Sequence, residues 1–139
     1  MKIIYWSGTG NTEEMANLIA KGIEKGDKVA ELIKVEDATL NTIKDEELII
    51  LGCSAMGDEV LEEYEMEPFI ESISQEVSGK KVALFGSYGW GDGKWMRDWE
   101  ERMAEYGAQV IEESLIVNEF PADDDAEKCV EFGIKISKI

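Results

Sequence analysis

The chain has 139 residues, enough for one well-packed domain but with little material left for a separate substrate domain. Its 31 acidic and 14 basic residues give a formal net charge of -17, which disfavours contacts with nucleic acid or anionic lipid and favours positively charged protein partners. The absence of histidine excludes Ser/His/Asp and Cys/His catalytic sites and removes the commonest metal ligand.

The first part of the chain alternates between patterns typical of strands and helices. Residues 2–6 form a short apolar run of strand length, and residues 13–26 carry apolar side chains at helical spacing. Residues 28–35 predict a second strand, placed at an edge because charges interrupt it. Residues 36–46 give only a weak helical pattern. Residues 47–53 are almost continuously apolar and predict a buried strand.

The second part repeats the alternation. Residues 68–77 predict a helix and residues 80–86 a buried strand. A glycine-rich loop then leads into a predicted helix at 94–107, a strand at 109–117 and a final helix at 125–139.

This alternation predicts an α/β fold with a parallel sheet. No repeat, low-complexity segment or Pro/Gly/Ser-rich linker interrupts the pattern, so we expect a single domain spanning 1–139. Ligands of such sheets bind at the carboxyl ends of the strands, where the strand order switches. The loops after the first, third and fourth strands are therefore the candidate site.

The loop after the first strand, SGTGNT, opens directly into a helix. Short polar side chains and glycines allow successive N–H groups to converge on an anion, helped by the helix N-terminus. The loop lacks the lysine of GxxxxGK[ST], and Glu13 stands where GxGxxG requires glycine. A phosphate cradle is favoured, and a merely well-capped turn stays the alternative.

The other two loops offer flat and flexible groups. After the third strand, Met56 presents a polarizable side chain and Gly57 allows an unusual peptide conformation. After the fourth strand, Trp90 stands between Gly89 and Gly91 and can stack on a planar ligand. The alternatives are that Met56 covers a strand end and that Trp90 fills the core.

Four other side chains are predicted to be structural. Cys53 and Cys129 are far apart and lack CxxC spacing, so both are expected to be buried free thiols. Trp95 and Trp99 lie at helical spacing and predict core positions. No apolar run is long enough to cross a bilayer, and the first residues lack a signal-peptide pattern, which predicts a cytoplasmic location.

Three segments, YWSGTGNT, LGCSAMGDE and FGSYGWGDGKW, resemble flavodoxins of the short-chain, clostridial type. The similarity runs essentially from end to end, and residues 118–129 follow the family pattern least well. The resemblance implies a three-layer sandwich with a five-stranded parallel sheet of order 2-1-3-4-5 and helices on both faces. It also implies FMN as cofactor and low-potential one-electron transfer.

The resemblance assigns a role to each loop. The first loop and Ser54 would hold the FMN phosphate, Met56 would lie on the inner flavin face and Trp90 on the outer face. The Gly57–Asp58 peptide would turn over on one-electron reduction to bond flavin N5–H, and Glu59 would face N3. The full set of implied FMN-binding residues is Ser7, Gly8, Thr9, Gly10, Asn11, Thr12, Ser54, Ala55, Met56, Gly57, Asp58, Glu59, Ser87, Tyr88, Gly89, Trp90 and Gly91.

The implied function is that of an electron carrier, without catalytic residues or a metal, cycling between the neutral semiquinone and the anionic hydroquinone. The alternatives are an FMN-dependent quinone or flavin reductase on the same fold and a phosphorylatable receiver domain. The expected partners of this monomer are flavodoxin- or ferredoxin-dependent oxidoreductases with basic patches. Those patches would dock on Asp58, Glu59, Glu62, Glu63 and Glu65.

Overall fold

A computed structural model describes residues 1–139 and contains one parallel sheet. Its strands are β1 (Lys2–Trp6), β2 (Glu31–Lys34), β3 (Leu48–Cys53), β4 (Lys81–Tyr88), β5 (Gln109–Val110) and β6 (Leu115–Asn118). All neighbours pair in parallel in the order β2-β1-β3-β4-β5, and β6 continues the edge by pairing with β4. The predicted class and strand order are confirmed.

Helices cover both faces of this sheet and enclose a core on each side. They are α1 (Asn11–Lys25), α2 (Leu40–Ile43), α3 (Met66–Ser72), α4 (Lys94–Glu105) and α5 (Asp124–Ser137), with a short 3₁₀ turn at Val35–Asp37. One core lies under α3 and α4 and contains Trp95, Trp99 and Cys53. The other lies under α1 and α5 and contains Cys129. The four predicted core side chains are all buried, and the two cysteines are free thiols.

The prediction of one continuous fifth strand at 109–117 is wrong, because the structure divides it into β5 and β6. Residues 111–114 lie outside β5 and β6; the Ile111 N–H still donates to the Val82 carbonyl of β4 at 2.8 Å, and residues 112–114 leave the sheet. Glu112 and Glu113 are exposed there, Glu112 adopts a positive φ of 59°, and the Ser114 hydroxyl donates to Glu100 on α4 at 2.7 Å. Two adjacent carboxylates therefore face solvent. In a continuous edge strand, successive side chains would face opposite sides of the sheet, and one of the two would face the core.

Three elements also differ in their bounds. β2 is limited to 31–34, α3 begins two residues earlier than predicted and ends at Ser72 rather than at 77, and the weak pattern at 36–46 contains the end of the 3₁₀ turn and the single-turn helix α2. No helix of the structure combines the length and the apolar character needed to cross a membrane. The carboxyl ends of β1, β3 and β4 lie side by side as a result of the strand order, which brings three loops to one edge.

Candidate functional site

The loop between β1 and α1 leaves several of its N–H groups without an acceptor inside the chain. Ser7 Oγ accepts hydrogen bonds from the N–H groups of Gly10 and Glu13, each at 3.2 Å, and so shapes the turn. Gly10 caps α1 with a φ of 101° and no side-chain bond. The N–H groups of Gly8 and Thr9 donate to no group in the chain, and those of Asn11 and Thr12 lie in the first turn of α1. This arrangement suits an anion.

Three hydroxyl groups join the three loops beneath that turn. Thr12 Oγ1 lies 2.6 Å from Ser54 Oγ and 3.0 Å from Ser87 Oγ, and the two serine oxygens are 3.3 Å apart. The Ser87 N–H also donates to Thr12 Oγ1 at 3.3 Å. Thr12 is fully buried and Ser87 nearly so. Hydroxyls can donate or accept, so this cluster can reorient one O–H towards a phosphate without leaving its partners unpaired.

The loop after β3 is a tight turn closed by Met56 and Val60. Their backbones exchange two hydrogen bonds, of 2.9 and 3.0 Å, around Gly57, Asp58 and Glu59. Gly57 has a φ of 46° and Glu59 a φ of 57°. Gly57 and Asp58 are exposed, and a Cβ added at Gly57 would contact nothing within 4 Å. The peptide between them is thus presented to solvent on a closed turn.

The loop after β4 carries Trp90 away from the core. Trp90 is 63% exposed, whereas Trp95 at the start of α4 is 1% exposed and donates its indole N–H to the Cys53 carbonyl at 3.1 Å. Gly91 has a φ of 87°, and Gly89 has open space beside its Cα. The alternative in which Trp90 fills the core is therefore excluded.

A cleft of about 280 Å³ lies where the three loops meet. No lysine or arginine lines it. The predicted site residues in its wall come from all three loops and are Gly8, Thr9, Asn11, Ser54, Ala55, Met56, Ser87, Tyr88 and Gly89. The remaining predicted residues do not line it: Ser7, Gly10 and Thr12 belong to the turn and the hydroxyl cluster, and Gly57, Asp58, Glu59, Trp90 and Gly91 belong to the two adjoining loops.

The lining of the cleft also includes two residues that the prediction omitted. Trp6 ends β1, and its ring would touch a Cβ added at Gly8, at 2.9 Å. The rule that ligands bind at strand ends could have identified it. Glu119 follows β6, and its N–H donates to the Tyr88 carbonyl at 2.8 Å. Only the pairing of β6 with β4 reveals that position.

The expected docking role of Glu62 is wrong. Its side chain is 5% exposed, and its carboxylate accepts hydrogen bonds from the N–H groups of Tyr64, Glu65 and Met66 at 2.7 to 2.9 Å. Glu62 thus caps α3 from the inside of the turn. Asp58, Glu63 and Glu65 are exposed, as a docking surface requires.

Comparison with known proteins identifies the family. A family model described as flavodoxin matches residues 3–133. The flavodoxin of Clostridium beijerinckii is 63% identical over 139 residues, covering all of both chains. The flavodoxin of Megasphaera elsdenii is 45% identical over 138 residues, covering 99% of this chain and 98% of its own.

A solution structure of two-electron reduced Megasphaera elsdenii flavodoxin has the same fold. It superposes with a TM-score of 0.90 at 43% identity and covers 99% of this chain and 98% of its own. End-to-end similarity to flavodoxins does not favour the reductase alternative, and the sheet order and cleft agree with the fold of these relatives. The chain belongs to the flavodoxin family, whose members are FMN-binding electron carriers rather than catalysts.

Proposed function

We propose that residues 1–139 form one FMN-binding domain that carries single electrons at low potential between larger redox enzymes. The observation that carries this proposal is the convergence on one cleft at the sheet edge of unpartnered N–H groups and of the Ser54 and Ser87 hydroxyls, which the buried Thr12 hydroxyl links. Such a donor set fits a phosphate monoester, and the cleft beside it continues between the two loops that carry Met56 and Trp90.

Bound FMN would supply one-electron redox chemistry, and this chain's residues would hold and tune it. The Ser7–Thr12 turn would bind the phosphate through backbone N–H groups, and Thr12, Ser54 and Ser87 would add hydroxyl donors. Because the lining contains no lysine or arginine, the phosphate would be held by dipoles and the helix N-terminus rather than by a side-chain cation.

The two adjoining loops would hold the ring. Met56 and Trp90 would cover its faces, and Gly89 and Gly91 would bring backbone N–H groups to its edge. Gly57 is the residue best suited to a peptide that reorients, since it is exposed and already has a positive φ. Glu59 would accept a hydrogen bond at the pyrimidine edge.

The charge of the chain would lower the potential of the second electron. No lysine or arginine lines the cleft to neutralise an additional negative charge on the ring. The net protein charge of -17 would repel that charge. Each acid at roughly 12 Å contributes about 0.3 to 0.7 kcal/mol of repulsion before salt screening. About 1.4 kcal/mol corresponds to about 59 mV for one electron, so several such acids shift the potential substantially.

We infer that partners dock on the exposed acids beside the 57–59 turn. Asp58, Glu63 and Glu65 would steer basic patches, so association should slow as salt rises. Tyr64, 81% exposed, and Val60, 53% exposed, lie in the same segment and would supply apolar contacts. A monomer acting in the cytoplasm fits this mode of transient docking.

Stepwise anaerobic reduction of the FMN-loaded protein tests the function. We expect one FMN per chain, two separate one-electron steps and a second potential well below the first. A protein that takes up no FMN would overturn the proposal, and a single two-electron step would favour the reductase. Thr12→Val removes the central hydroxyl and should weaken FMN binding by about 10-fold or more, whereas Lys21→Ala on the exposed side of α1 should leave it unchanged.

A further inference from the structure

Trp6, the last residue of β1, lies between two cavities. It lines the cleft described above, and it also lines a second cavity of about 200 Å³. No other residue lines both cavities. Trp6 is half-buried and packs against the core under α3 and α4. It therefore forms a wall that the cleft and the second cavity share.

The second cavity is acidic, unlike the phosphate end of the cleft. Its lining includes Glu13 on α1, Glu36 in the 3₁₀ turn and Glu65 before α3, and Lys34 is its only basic residue. Desolvation and neighbouring carboxylates, among them that of Glu36, raise the pKa of Glu65 above its ordinary value. Such surroundings disfavour a further anion. A phosphate bound in the cleft must therefore be kept on the other side of Trp6.

The Trp6 ring also lies against the first glycine of the β1–α1 turn. A Cβ added at Gly8 would lie 2.9 Å from Cη2 of Trp6, and 3.5 and 3.6 Å from its Cζ3 and Cζ2. Gly8 does not have a positive φ, so its backbone conformation does not require glycine. The space taken by the indole does. The far edge of the indole thus packs on Gly8, whose N–H group has no acceptor in the chain.

We propose that Trp6 is a positioning residue that makes the cleft selective for a phosphorylated flavin. Its ring supports the Gly8 backbone, so that the N–H groups of Gly8 and Thr9 stay available to the cleft that both residues line. The ring also keeps a bound phosphate at a distance from the carboxylates of the second cavity. Repulsion between like charges falls with distance, and donors already in place need no ordering when the ligand binds. The link to the phosphate rests on the function proposed above, whereas the contact between Trp6 and Gly8 does not.

Paired titrations with FMN and riboflavin test the selectivity. The two flavins differ by the phosphate, so the ratio of their dissociation constants isolates the contribution of the phosphate. Trp6→Ala should lower the preference for FMN by about 10-fold or more, the effect of losing one hydrogen bond to a charged group. It should change the affinity for riboflavin by less than about 3-fold. Trp6→Phe keeps a ring in the core but shortens the edge that lies against Gly8, and it should lower the preference in the same direction.

Trp90→Ala is the matched control for these titrations. Trp90 belongs to the loop after β4 and not to the β1–α1 turn, so its loss should weaken both flavins alike and leave the ratio unchanged. An unchanged ratio in both Trp6 variants would overturn the proposal. So would a fall in the ratio for Trp90→Ala as large as that for Trp6→Ala, because the effect would then not be specific to the phosphate end.

A double-mutant cycle on the FMN-free protein tests the contact itself. Gly8→Ala should lower the urea midpoint, because its methyl group would meet the Trp6 ring, and the same substitution should lower it less in the Trp6→Phe background. Equal losses in the two backgrounds would overturn the positioning role. If the unsubstituted protein binds no FMN, the proposed function falls, while the cycle still decides whether Trp6 positions Gly8.

Discussion

Gly22 on α1 and Gly133 on α5 pack directly against each other where the two helices cross. A Cβ at Gly22 would collide with the Val130 carbonyl and approach the Gly133 Cα at 2.9 Å, and a Cβ at Gly133 would collide with the Ile19 carbonyl. The two helix backbones are therefore in contact, and the core that Cys129 occupies depends on that close approach.

Gly22→Ala or Gly133→Ala should destabilise the protein although alanine is the better helix former. At an open helical site the change would gain up to about 1 kcal/mol. Here the backbone collision should outweigh that gain and cost about 1 to 3 kcal/mol. Urea denaturation followed by circular dichroism measures the difference. Lys21→Ala on exposed α1 surface is the control and should be neutral. A stability equal to or above that of the parent would show that the helices can separate without cost.

Trp90→Ala and Trp99→Ala should separate cofactor binding from folding. Trp90 is 63% exposed, so its loss should change the unfolding free energy of the FMN-free protein by less than about 0.5 kcal/mol while weakening FMN binding. Trp99 is 1% exposed, and Trp99→Ala should cost about 3 to 5 kcal/mol. The Trp99 indole N–H has no hydrogen-bond partner, so Trp99→Phe should cost less than Trp99→Ala. Similar losses of unfolding free energy in Trp90→Ala and Trp99→Ala would refute the assignment of Trp90 to cofactor binding and of Trp99 to folding.

Gly57→Thr should lower the first one-electron potential of bound FMN. A β-branched side chain at the φ of 46° found there adds strain, and it also restricts reorientation of the 57–58 peptide. A penalty of about 1 to 2 kcal/mol that is specific to the reduced form would lower the potential by about 45 to 85 mV. Gly79→Thr, at a φ of 83° outside the cleft, should cost stability and leave the potential unchanged. Equal potentials in the Gly57 variant and the parent would argue against a reorienting peptide.

The two buried thiols should make the protein less stable in alkali. Burial raises the pKa of Cys53 and of Cys129 to about 12, from 9.0 in an exposed thiol. Since the unfolded chain ionises first, the stabilisation is complete below about pH 9 and is lost as pH rises from about 9 to 12.

The unfolding free energy should fall in that window by about 1.4 kcal/mol per pH unit for each thiol. Urea denaturation at several pH values between 8 and 11 measures this slope. Cys129→Ala should reduce the pH dependence of the unfolding free energy by the contribution of one thiol, even if the variant is less stable than the parent at pH 8. An identical slope in the variant and the parent would contradict the assignment to Cys129.

The class of the fold and the position of the site both follow from patterns in the sequence. Apolar runs of strand length and helical spacing gave the parallel sheet, because periodicity reflects which side chains face the core. The loop composition after β1, β3 and β4 was enough to locate the cleft, since parallel strands place their carboxyl ends together. The residue-by-residue FMN assignments stay predictions.

Side-chain contacts, by contrast, depend on the tertiary structure. Glu62 caps α3 within a local turn, and the Lys94 N–H donates to Glu59 across 35 positions of sequence; no periodicity encodes either side-chain direction. Glu119 reaches the cleft only because β6 pairs with β4, and the hydroxyls of Thr12, Ser54 and Ser87 meet only because three loops converge. Patterning specifies which faces are buried, whereas packing and hydrogen-bond geometry choose the partners.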